Sequence, residues 1–129
     1  MTEHKAGSFV RFVVGADGED HRQLNGLFTE ARILRDGGHL SVEEDNRLER
    51  IYDWFNLHLP VPPFSERRWR KGVASWFKSD ATEPVSRMWD IVVILRDHGV
   101  PTRMLRSDNP GKVVYEDDFQ VVVEEWRNL

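Results

Sequence analysis

The stretch SERRWRKGVASWFK, residues 65–78, divides at Gly72, and the reading of its two halves decides the fold. The second half, GVASWFK, is rich in β-branched and aromatic residues and reads as a strand. Side chains alternate across a strand, so Val73, Ser75 and Phe77 share one face and Ala74, Trp76 and Lys78 the other. The first half is cationic. Residues 64–78 carry five positive charges and one negative, in a chain whose net charge is −4. If 65–71 is a helical turn, Arg67, Arg70 and Lys71 share a face. If it is extended, Arg67, Trp69 and Lys71 point one way, and Arg68 and Arg70 the other.

Upstream, LPVPP (59–63) ends a helix, because proline cannot continue one, and it reads as a rigid connector. That helix opens at Ser41 with the capping box Ser41-x-x-Glu44 and carries the stripe Leu48, Ile51, Tyr52, Phe55. A shorter helix precedes it, with Asp20 placed to cap its start and Leu24, Leu27, Phe28, Ala31 and Leu34 as its stripe. Gly37 and Gly38 stop it, one of them left-handed. SFVRFVV (8–14) reads as the first strand, with Val10, Phe12 and Val14 on one face and Phe9, Arg11 and Val13 on the other. Residues 1–7 read as a loose tail ahead of a single domain over 8–129.

Downstream, SDATEP caps a third helix at Ser79, Asp80 or Thr82. Its stripe is Val85, Met88, Trp89, Val92 and Leu95, widened by Ile91. PTRMLR (101–106) is a third strand. In SDNPG, Pro110 and Gly111 suit the centre of a type II turn. KVVYE and FQVVVEEW then pair as a hairpin around Asp117 and Asp118. The order β-α-α-β-α-β-β-β is an α+β pattern, with about five strands in a mixed, mainly antiparallel sheet and helices chiefly on one face. The segment joining the second and third strands suits a parallel crossover. ILRDGG (33–38) and ILRDHG (94–99) end two helices alike, which is either a duplicated half or a shared helix stop.

Composition narrows the function classes. The chain has 129 residues, 31% of them charged, and no cysteine, so disulfides, thiolate nucleophiles and Cys metal clusters are excluded. No apolar run reaches the ~18 residues of a membrane span, and MTEHKAGSFV lacks the apolar core of a signal peptide, so the expectation is a cytoplasmic chain with no membrane role. Fourteen of the eighteen basic residues are Arg, which suits planar two-pronged contacts. There is no Walker loop, no G-x-S-x-G and no G-x-G-x-x-G. His4, His21, His39, His58 and His98 include no H-E-x-x-H pair, so zinc is not expected.

Three surfaces carry functional expectations. If one sheet face were open, Phe9, Arg11, Trp76, Lys78 and Arg103 would set aromatics among cations, as single-stranded nucleic-acid binders do. The competing reading buries Trp76 under a loop or in a dimer interface, as Trp is mostly covered. In GADGEDH, Asp17, Asp20 and His21 could hold a divalent cation for a small metal-dependent hydrolase, although the spacing is not that of a calcium loop, and a turn with an N-cap accounts for the same residues. YEDDF (115–119) offers paired carboxylates, but a hairpin tip is wet and serves better as a solubilising turn. The leading expectation is therefore a non-enzymatic, cofactor-free binding module for a protein partner, or a self-associating one. Its anchors are Trp54, Trp69, Trp76 and Trp126 beside Arg, with Arg11, Arg67, Arg68, Arg70, Lys71, Lys78 and Arg103 as the cationic set. Val121–Val123, placed near a sheet edge, would gain from burial by a second copy.

Overall fold

A computed structural model of the chain describes residues 8–15, 26–60 and 73–125. The elements are β1 (Phe9–Val14), α1 (Leu27–Asp36), α2 (Val42–His58), β2 (Val73–Lys78), α3 (Thr82–Asp97), β3 (Thr102–Ser107), β4 (Gly111–Glu116) and β5 (Gln120–Glu125). This is the expected α+β order. The sheet runs β3-β1-β2-β5-β4 and is antiparallel throughout rather than mixed. β2 and β3 both oppose β1, which lies between them, so the chain crosses over through α3 without making a parallel ladder.

The chain forms two compact units. One comprises Met1–Arg11, Pro60–Thr82 and Leu105–Leu129. Within it Phe9 pairs with Lys78, Trp76 with Val121 and Ala74 with Val123, which puts these residues on one face. Phe9, Ala74, Trp76, Val121 and Val123 form a closed apolar cluster, with Leu105 packed against it. Trp76 is only 5% exposed. On the opposite face Val10 and Val122 are equally covered. β5 is therefore an interior strand, not an edge one, and Val121–Val123 have no exposed surface left to offer a second copy. Apolar residues on both faces of a strand require cover on both faces, as in sheets buried on two sides.

The β4–β5 turn is organised by two polar groups, Gln120, which is buried, and Asp117, which is half-buried. Gln120 accepts from Ser75 Oγ at 2.8 Å through Oε1, and its amide nitrogen donates to Pro60 O and to Asp117 Oδ2. Asp117 also accepts from the Phe119 and Gln120 amides and from Tyr115 Oη. Burial alone would raise the Asp117 pKa. The donors from Gln120, the Phe119 amide and Tyr115 outweigh it and hold the carboxyl below its ordinary range. The acidic hairpin tip is thus a self-satisfied turn, more structural than a solubilising cap. The turn before β4 is not type II. Gly111 starts β4 opposite Glu125 without a positive φ, and Ser107 Oγ accepts from the Asn109 amide instead.

The other unit comprises Phe12–Leu59 and Glu83–Met104. The described part of α1 buries Leu27 and Ala31, while Asp20 and Leu24 lie outside the described residues. α2 buries Leu48, Ile51 and Phe55. α3 is turned from the expected stripe. Pro84, Met88, Ile91, Val92, Ile94 and Leu95 are buried, and Trp89 sits at the margin, 37% exposed, edge-on to Phe12 at 5.2 Å. A second apolar row at Ile91 and Ile94 pulls the buried face round the helix.

The repeated ILRD-x-G is one helix stop used twice. His39 N donates to Leu34 O and Gly38 N to Arg35 O; Val100 N donates to Leu95 O and Gly99 N to Arg96 O. Gly38 and Gly99 have φ of 74° and 76°. Both are Schellman motifs, which need a residue that tolerates left-handed backbone. The capping box at Ser41 and Glu44 forms as read, and Glu44 also meets His98 Nε2 at 3.0 Å, joining the start of α2 to the end of α3. The Ser41 amide first, then His98, hold the Glu44 carboxyl below its ordinary value.

Three outcomes follow from this packing. Trp76→Ala should lose about 3–5 kcal/mol in urea unfolding, as large-to-small changes in a closed cluster do; a loss below ~1 kcal/mol would mean the indole is not in the core. Gly38→Ala and Gly99→Ala should each cost about 1 kcal/mol, against a few tenths for Gly26→Ala at an exposed site of ordinary φ. The carboxyls of Glu44 and Asp117 titrate below their ordinary values of 4.5 and 3.8 in the folded chain. Their contribution is therefore complete above those values and is lost as pH falls through the lowered ones. Urea midpoints should drop on acidification from about pH 5 to about pH 2, and more shallowly in the Glu44→Gln and Asp117→Asn variants.

Candidate functional site

α2 and α3 each carry a charged row beside the apolar row that they bury. On α2 the row is Arg47, Arg50, Trp54 and His58; on α3 it is Glu83, Arg87 and Asp90. Steps of three and four keep each row on one flank of its helix. The two flanks enclose a cleft of about 340 Å³ lined by Arg47, Arg50, Ile51, Arg87, Asp90 and Val93. Ile51 is buried, and Val93 is half exposed.

One lining residue, Arg87, is held in a stack. The Arg87 guanidinium carbon lies 4.5 Å from the centroid of the Trp54 ring, within the range of a cation–π contact. Trp54 is fixed in turn by edge-on packing on Phe55 at 5.2 Å and by His58 at 5.1 Å. Arg87 Nη2 reaches Glu83 at 3.2 Å, and Arg47 Nη2 reaches Glu43 at 3.2 Å. Both are exposed pairs one helical turn apart, worth a few tenths of a kcal/mol and readily exchanged. Two groups stay unspent. Arg87 Nε is buried with no hydrogen-bond acceptor. Arg50 has no ion-pair partner among the described residues. A buried donor without an acceptor costs about 1–3 kcal/mol, so the cleft is energetically incomplete.

Of the anchors read from sequence, Trp54 stacks on Arg87, which lines this cleft. The others do not gather. Trp76 is closed into the core, where it cannot stack a base. Lys78 Nζ is 2.7 Å from Glu116 Oε2. Arg11 and Arg103 are half-buried. Arg67, Arg68, Trp69, Arg70, Lys71 and Trp126 lie outside the described residues, as do Asp17, Asp20 and His21. Among the described residues no group of three His, Asp or Glu is placed to hold a metal ion. No helix among them is long and apolar enough to cross a membrane.

The cleft had a signal in the sequence. Glu43-Arg47 and Glu83-Arg87 are i, i+4 pairs flanking the two apolar stripes, and Arg50 with Trp54 extends the first flank. What the sequence lacks is the juxtaposition of positions 54 and 87, which only the packing of α2 on α3 supplies. Comparison with protein families, with curated proteins and with solved structures finds no match to this chain.

Proposed function

We propose that the chain is a non-catalytic binding module that takes a protein partner through the α2–α3 cleft, with an acidic side chain of the partner entering between Arg50 and Arg87. The observation that carries this reading is the buried Arg87 Nε, a donor with no acceptor, held against Trp54. A carboxylate there would gain a two-pronged, charge-assisted contact, and Arg beside Trp is the composition of binding hot spots. The cleft also contains Asp90 and is bordered by Glu43 and Glu83. Such carboxylates repel a polyphosphate chain and suit a mixed-charge protein surface.

The test is recovery of a complex from nuclease-treated extract by the immobilised chain. The wild type should retain one defined protein. Arg50→Glu, an exposed change that leaves the fold intact, and Trp54→Ala should each weaken it at least ~10-fold. Retention of no protein, with nucleic acid recovered when nuclease is omitted, or equal retention by both variants, would refute the reading.

A further inference from the structure

β4 ends the sheet, and its outer edge has no strand beside it among the described residues. Lys112, Val113, Val114 and Glu116 are exposed along it, Val113 to 47% and Val114 to 39%. Edge strands are commonly guarded by a central Lys, by Pro or by short length. Here the centre is two valines, and the charges stand at the two ends with opposite signs. Read about Val114, the strand Lys112-Val113-Val114-Tyr115-Glu116 is self-complementary when run antiparallel. Lys112 falls opposite Glu116, and Val113 opposite Tyr115.

We propose that β4 is a self-association edge, on which a second copy of this chain adds its own β4 antiparallel about a two-fold axis at Val114. The ten-stranded sheet so formed sets Lys112 against the partner's Glu116 twice. Lys112 makes no ion pair among the described residues, whereas Glu116 meets Lys78 through Oε2 and keeps its other oxygen. An isologous pairing of this kind repeats each contact on both sides of the axis. The bulge is compatible with it. Val113 pairs with Val123 and Tyr115 with Val122, so Val114 has no counterpart on β5. Placed on the axis, that extra residue is shared by both strands and shifts neither arm against the other. The bulge also breaks the strand's alternation, which is how two successive valines come to be exposed. The edge and the α2–α3 cleft share no residue, so neither proposal depends on the other.

The test is sedimentation of the full chain at about 100 µM, above the micromolar Kd typical of a small transient interface. The wild type should sediment as a dimer. Lys112→Glu should be a monomer, as should Glu116→Lys, with melting curves confirming that both remain folded. An equimolar mixture of the two variants should recover the dimer, because each supplies the charge that the other lost. Arg50→Glu should leave dimerisation unchanged. A monomeric wild type, a dimer that survives Lys112→Glu, or a mixture that stays monomeric would each overturn the proposal.

Discussion

Trp76 is the constraint on which the sheet turns. Its indole packs with Phe9, Ala74, Val121 and Val123, three strands meeting on one face. The same strands present Val10 and Val122, almost fully covered, on the other. A sheet so apolar on both sides cannot leave one side to water. Burying one such side chain stabilises by about 1.5–3 kcal/mol, and the covered residues of β1, β2 and β5 number enough to outweigh the preferences of any single loop. Polar requirements are then pushed to the margins. The edges fall to β3 and β4, which carry Arg103, Arg106, Lys112 and Glu116, and the buried Gln120 amide both accepts and donates hydrogen bonds.

The helices obey the same economy of polar groups. Glu44 completes the capping box of α2 and also receives His98 from the end of α3, so a single carboxylate fixes two helix ends. Arg96 does similar work beyond α3. Its Nε donates to Thr102 Oγ1 at 2.9 Å, tying the helix to the first residue of β3. Each of these contacts lies where a helix terminus leaves backbone groups unpaired, which is where side-chain partners are most useful.

How much of this is legible in sequence depends on the range of the interaction. The capping box, the proline stop at Pro60 and both Schellman glycines rest on residues within one helical turn, and all are read correctly from spacing. Alternation leaves the exposure of the sheet face open, to water or buried as Trp usually is, because in FVRFVV and VVV the apolar runs are continuous. A continuous run is the mark of a strand covered on both sides, and alternation within it assigns faces but not exposure. The α3 stripe is misplaced for a related reason. Eight apolar positions in the eleven residues from Val85 to Leu95 admit two overlapping stripes, and the choice is made by what α3 packs against. The Trp54–Arg87 stack and the Gln120–Ser75–Pro60 contacts join residues 33 to 60 positions apart, so nothing local announces them.

Charge density is conspicuous along a sequence, as in the basic run at 65–71. Charge in a fold is judged differently, by what remains unneutralised and desolvated. Lys78, Arg47 and Arg87 have acidic partners in the same unit, and Arg96 has hydroxyl and carbonyl partners. Against that background the cleft stands out for Arg50, with no ion pair among the described residues, and for the buried Arg87 Nε, with no acceptor. A hydrated cation must surrender water to bind, and the net gain is small. The Arg87 Nε has already surrendered it, so an incoming acceptor recovers the full hydrogen bond. On that asymmetry rests the proposal that the α2–α3 cleft, with its three Arg, is a place for recognition.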